Sequence, residues 1–198
     1  MRQYRQDLRE QWNEALLLYS NLRNGQLLGG DKTLRWLQPG EVLCAQGWFD
    51  VGRFRSAHVS YSVPGYAAVG SPGFVAGAAL THAVSAAATR RQAARRAAPQ
   101  WRYYGAHPHL LTNHRVCSFL DNRWEDLPLA AVEVVPDLGK KTAKRHFGTG
   151  TVDLHPRVGG EPLRLAGLGV FWWAVALRYL CHGRAGLDHP GLQRLARG

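Results

Sequence analysis

Apolar residues at three- and four-residue steps open the chain. Between Arg5 and Leu22, the series Leu8, Trp12, Ala15, Tyr19 and Leu22 forms one stripe, with Asp7, Arg9, Glu10 and Glu14 off it. That spacing follows the helical turn and predicts an amphipathic helix with a single buried face. Gly25, Gly29 and Gly30 then end the helix and supply a short linker before Trp36 and a turn at Pro39-Gly40. Beyond the turn the period becomes that of a strand. Glu41 to Phe49 reads as one strand, and from Ser56 the residues Ala57, Val59, Tyr61 and Val63 alternate with Ser56, His58, Ser60 and Ser62. Such alternation gives a sheet one buried and one wet face. Asp50-Val51-Gly52 between the two runs has hairpin-turn composition, which predicts an antiparallel pair.

The stretch from Pro64 to Ala88 carries no formal charge, and Phe74 to Ala98 reads as a long alanine-rich helix that stops before Pro99. Short strands are predicted over Trp101 to Gly105, Leu110 to Thr112, Val116 to Leu120 and Leu129 to Val135, with Pro108 and Asn113 in loops. Val152 and Leu154 alternate with Thr151, Asp153 and His155, Leu163 and Leu165 flank Arg164, and Gly159-Gly160 marks a hairpin between them. Gly167 to Cys181 is a helix with Val170, Trp173, Ala174, Leu177 and Cys181 along one side, closed by Gly183. Antiparallel strands followed by one apolar helix predict an α+β fold in which the helix plugs the sheet.

Composition narrows the classes. A hydrophobic fraction of 45% and seven tryptophans in 198 residues supply one sizeable core and exclude wholesale disorder. Cys44, Cys117 and Cys181 are far apart, odd in number and outside any CxxC framework, so they read as free thiols in a reducing compartment. Met1 to Glu10 lacks the apolar stretch of a signal peptide, which predicts a cytoplasmic protein. The net charge of +11 is unevenly spread: +2 over residues 1–40, zero over 41–89, +6 over 90–123, −4 over 124–139 and +7 over 140–198. Clustering of this kind suits phosphate-bearing partners, nucleic acid or an anionic membrane face. Because 21 of the 25 cations are arginine, GC-rich codon usage is the competing explanation.

Several segments together resemble the bacterial pleckstrin-homology-like proteins of high-GC organisms: Trp36…Pro39-Gly40-Glu41, Leu111-Thr112-Asn113-His114-Arg115, Trp124-Glu125-Asp126-Leu127, Pro162-Leu163-Arg164-Leu165, the Trp172-Trp173 pair and His189-Pro190. The resemblance covers roughly residues 36–192. It implies a partly open antiparallel barrel or sandwich of about seven strands with a C-terminal capping helix. This chain adds an N-terminal helix over residues 1–35 and an inserted alanine-rich helix at about 64–100. Eukaryotic relatives often bind phosphoinositides or peptides, so the implied function is a binding or scaffold module for a protein or an anionic partner, with no cofactor. In inositol-phosphate binders, cations near the first hairpin contact phosphate, and Arg53 and Arg55 occupy the matching region.

Three further readings stay open. Arg90, Arg91, Arg95 and Arg96 on a helix, and Lys140, Lys141, Lys144 and Arg145 in a loop, are candidate anion sites; with Trp101, Tyr103 and Tyr104 to stack on bases they also suit a nucleic acid. Residues 65–88 are long enough to span a bilayer, at roughly 20 residues needed, although glycines, Pro72 and His82 lower their hydrophobicity. An enzyme would need a site with no familiar signature. His107, His109, His114 and Cys117 are close in sequence but lack a fourth ligand at metal spacing, no base accompanies Cys44 or Cys117, and Glu125-Asp126 reads as a turn cap.

Overall fold

A computed structural model describes residues 2–32, 36–56, 87–89, 91–95, 97–139 and 149–196. The chain divides into two compact units, one formed by Met1–Arg53 and Arg102–Gly198 and the other by Phe54–Trp101.

The first unit begins with α1 (Arg2–Arg23), on which Ala15, Tyr19 and Leu22 are buried and Leu8 and Trp12 pack against the core, following the sequence stripe. Seven strands follow among the described residues: β1 (Leu43–Arg55), β2 (Gln100–Thr112), β3 (Arg115–Leu120), β4 (Arg123–Pro128), β5 (Val132–Asp137), β6 (Thr151–Pro156) and β7 (Leu163–Ala166). They form one curled, half-barrel antiparallel sheet in the order β4-β3-β2-β1-β7-β6-β5. With helices at both ends of the chain this is the α+β architecture expected. The order is a four-strand meander and a three-strand meander joined by β1 against β7, where Val51 lies opposite Leu165 and Arg53 opposite Leu163.

Helix α2 (Val170–His182) packs against β5 and β6. Its buried set, Val170, Phe171, Trp173 to Leu177 and Arg178, extends well beyond one stripe. The reason is that α1 covers the side away from the sheet, with Trp12 edge-on to Phe171 at 5.1 Å. A helix enclosed from both sides loses its wet face. Gly183 ends α2, as expected, and the chain closes with short 3-10 turns and α3 (Gln193–Ala196).

Three local expectations are corrected. Asp50-Val51-Gly52 is no turn: β1 runs straight through it, because Val51 and Gly52 are buried in the ladder with β7. The run Trp101 to Thr112 is one strand rather than two. Pro108 is tolerated there because the register with β3 starts just beyond it, at His109 opposite Ser118. Trp124 to Leu127 is strand, so Glu125-Asp126 caps no turn. By contrast, Gly159 and Gly160 take positive φ (59° and 94°) between β6 and β7, as the hairpin requires.

In the second unit, residues 87–89, 91–95 and 97 are helical, and Ala98 donates to Ala94 before Pro99 ends the run. The rings of Phe54 and Trp101 lie 5.5 Å apart. The expected strand at 57–63 and most of the expected 74–98 helix lie outside the described residues. So does nearly all of the 65–88 stretch considered for a membrane. Among the described residues, no helix is long and apolar enough to cross a membrane.

Candidate binding surface

The two faces of the β2–β4 meander differ in chemistry. Cross-strand partners share a face and neighbours along a strand alternate, so His109, Ser118 and Glu125 point one way. Leu110, Cys117 and Asp126 point the other. The first face turns toward the core. His109 is fully buried there, its Nδ1 2.8 Å from the Ser118 hydroxyl, near the rings of Phe49 and Trp173. Burial, reinforced by the charge of His107, pushes the His109 pKa down to about 4, so the imidazole is neutral at pH 7.

The outer face is built around Glu41, which is 3% exposed. Its Oε1 accepts from the Thr112 hydroxyl (2.7 Å) and from Arg115 Nε (2.9 Å). Its Oε2 accepts from the Gln38 backbone N–H (2.8 Å) and Arg115 Nη2 (3.0 Å). Four bonds saturate the carboxylate, and the two from Arg115 form the bidentate fork that guanidinium geometry favours. Burial alone would raise the Glu41 pKa; the donors from Gln38, Thr112 and Arg115 outweigh it and hold it below the ordinary carboxylate value. Thr112 also accepts from the backbone N–H of His114 and Arg115, which shapes the β2–β3 turn. Asn113 completes the clamp: its Oδ1 accepts from Val42 N–H at 2.8 Å, and its Nδ2 donates to the Gly40 carbonyl at 3.1 Å.

This network fastens the segment before β1 to the β2–β3 turn and then to β4, since Arg115 Nη1 also reaches Asp126 Oδ2 at 2.5 Å. Its product is a recess of about 390 Å³ bounded by Trp36, Leu110, Arg115, Cys117, Trp124 and Asp126. Trp36 is 44% and Trp124 50% exposed, an uncommon state for so large an apolar ring. Trp124 leans on Phe119 with ring centroids 5.4 Å apart. Three of the sequence segments read separately above, around Trp36–Glu41, Thr112–Arg115 and Trp124–Asp126, therefore meet in one place. No periodicity announces this, because the contacts join positions 71 to 74 residues apart.

None of the described anion-binding candidates from the sequence lines this recess. Arg53 lies on the core face at the rim, ion-paired with Glu125 and, at 3.7 Å, with Glu161. Arg55 is half-buried at the end of β1. Arg91 and Arg95 are exposed one helical turn apart in the second unit. Arg90, Arg96, Lys140, Lys141, Lys144 and Arg145 lie outside the described residues. The structure sets His109 and Cys117 on opposite faces of the sheet, and among the described residues no group of three or more His, Cys, Asp or Glu is placed to hold a metal. Burial raises the thiols of Cys44 and Cys181 to about 11 and that of Cys117 to about 12. At neutral pH none of the three is a thiolate.

Comparison with known proteins finds no family model, no curated protein and no solved structure that matches the chain.

Proposed function

We propose that this chain is a non-catalytic, pleckstrin-homology-like binding module that docks an extended segment of another protein against the outer face of β2–β4. The observation that carries the reading is the saturated Glu41–Arg115 pair beneath two exposed tryptophans. A buried ion pair contributes little net stability over an apolar replacement, so its value lies in fixing geometry. Here the geometry it fixes is the rim of an aromatic recess. Among the described residues β4 is a terminal strand of the sheet, which lets an incoming extended segment add alongside it and place a side chain in the recess. The curled sheet with its helical plug supports the pleckstrin-homology-like assignment. The protonated thiols leave none of the three cysteines a ready nucleophile at neutral pH.

The test is direct binding between the purified chain and a polypeptide partner recovered from the native cell. Trp36→Ala/Trp124→Ala is expected to weaken that binding at least tenfold with folding intact. Unchanged affinity in the double variant refutes the reading. Exposed Arg91 and Arg95 favour a second reading, an anionic membrane surface. Flotation with phosphatidylserine vesicles tests it: Arg91→Ala/Arg95→Ala should abolish flotation if the arginines hold the lipid, and flotation that persists unchanged rules them out.

A further inference from the structure

We infer that the recess on the outer face of β2–β4 accepts a cationic side chain, with its aliphatic stem on Leu110 and its charged head between the indoles of Trp36 and Trp124 and the carboxylate of Asp126. The inference rests on the reading of this face as the docking surface and names what the partner places there. Charge decides the sign of the ligand. Glu41 takes two hydrogen bonds from Arg115 and offsets its charge, while Asp126, with a side chain 45% exposed, approaches the same guanidinium from the solvent side. Two carboxylates share one guanidinium, so the cluster of Glu41, Arg115 and Asp126 carries one net negative charge, with Glu41 buried behind the lining. In a chain of net charge +11, that is a local inversion.

The aromatic walls agree with the carboxylate. The face of an indole carries negative quadrupole density, and tryptophan is the strongest cation–π partner among the side chains. An anionic head would meet Asp126 and the ring faces, which reject it, and Arg115, the one cation of the lining among the described residues, is already offset by Glu41. A purely apolar side chain would fill the recess but add no partner to the exposed carboxylate of Asp126, which shares Arg115 with Glu41, and would gain nothing from the ring quadrupoles. A lysine or arginine satisfies both parts of the lining, because its methylenes match Leu110 and the protonated Cys117 thiol while its head stays at the wet rim. The volume of about 390 Å³ falls within the range of about 300–1,000 Å³ typical of small-ligand sites.

The probes are N-acetyl-arginine methylamide, its neutral isostere N-acetyl-citrulline methylamide, and N-acetyl-glutamate methylamide. The readout is the indole N–H signals of Trp36 and Trp124 in a two-dimensional NMR titration. The arginine probe should move both signals saturably, with the citrulline probe about tenfold weaker and the glutamate probe weaker still. Asp126→Asn should bring arginine affinity down to that of citrulline, since Glu41 continues to hold Arg115 in the variant. Trp48→Ala, in the separate recess beside Tyr4 and Asp50, should change nothing. Equal binding of arginine and citrulline, or a wild-type arginine affinity in Asp126→Asn, overturns the inference. If the tryptophan pair proves necessary for the partner protein while the arginine probe neither binds nor competes, the cationic assignment falls and the docking face stands. If the partner binds the tryptophan double variant unchanged, the docking face itself falls.

Discussion

Lowering the pH from 7.5 to 4.5 should cost the folded chain about 2–3 kcal/mol through His109 alone. The imidazole is fully buried, its Nδ1 is engaged by Ser118, and its Nε2 has no hydrogen-bond partner among the described residues. A proton added there would sit in an apolar, aromatic environment next to Phe49 and Trp173. In the unfolded chain the same group titrates at its ordinary value of about 6.5, against about 4 in the folded state. Above the unfolded value both states are neutral and His109 makes no difference. As the pH falls from 6.5 toward 4, the unfolded chain takes up a proton that the folded chain refuses, so stability drops by roughly 1.4 kcal/mol per pH unit. His182 and His189, both lowered by burial and then by Arg178, add slope of the same sign, so a difference measurement is needed. Urea denaturation followed by tryptophan fluorescence at pH 7.5 and 4.5 gives the loss for the wild type. His109→Gln, which keeps a hydrogen-bonding partner for Ser118 but cannot titrate, should lose about 2–3 kcal/mol less over that interval. An identical pH dependence in the two proteins would refute the argument, whatever the variant's absolute stability.

Other perturbations follow from the same contacts. Glu41→Gln replaces one of the two buried acceptors of Arg115 by a donor and removes the opposing charge, and should lower stability by about 2–4 kcal/mol, read as a drop in urea midpoint with unchanged slope. Arg178, buried on α2, donates to the Val134 carbonyl at 2.9 Å, to Glu133 at 3.0 Å and to the Gly186 carbonyl at 3.3 Å. Arg178→Met fills similar space without these bonds and should cost about 2 kcal/mol in thermal or urea unfolding. At Gly191 an added Cβ would lie 1.8 Å from the Pro136 carbonyl oxygen, so Gly191→Ala should force the C-terminal turn off β5 at a cost of about 1–3 kcal/mol, seen as a lower Tm.

How much of this was legible in the sequence depends on the range of the interaction. The α1 stripe, the Gly159-Gly160 hairpin and the end of α2 at Gly183 are set by neighbours within a few residues, and periodicity with turn chemistry finds them. Asp50-Val51-Gly52 misleads because turn composition is only a local preference. The pairing of Gly52 with Arg164 on β7, more than a hundred residues away, overrides it. The recess lies at the far end of that scale. Glu41, Thr112, Arg115 and Asp126 are unremarkable polar residues in their own segments, and only the sheet order makes them neighbours. One signal was available: two segments that pair a tryptophan with an acid, around Trp36–Glu41 and Trp124–Asp126, and a polar turn at Thr112–Arg115, which the family resemblance picked out without saying that they meet. The basic clusters drew attention because charge is visible in composition, whereas a local excess of negative charge inside a basic chain is visible only in three dimensions.

The most direct test of the docking face is to titrate the partner polypeptide into the chain while following its seven tryptophan indole N–H signals, assigned by single substitution. The signals of Trp36 and Trp124 should shift together at the stoichiometric point, while those of Trp173 in the core and Trp12 packed against it stay in place. Binding that leaves Trp36 and Trp124 unmoved would place the partner elsewhere and contradict the account.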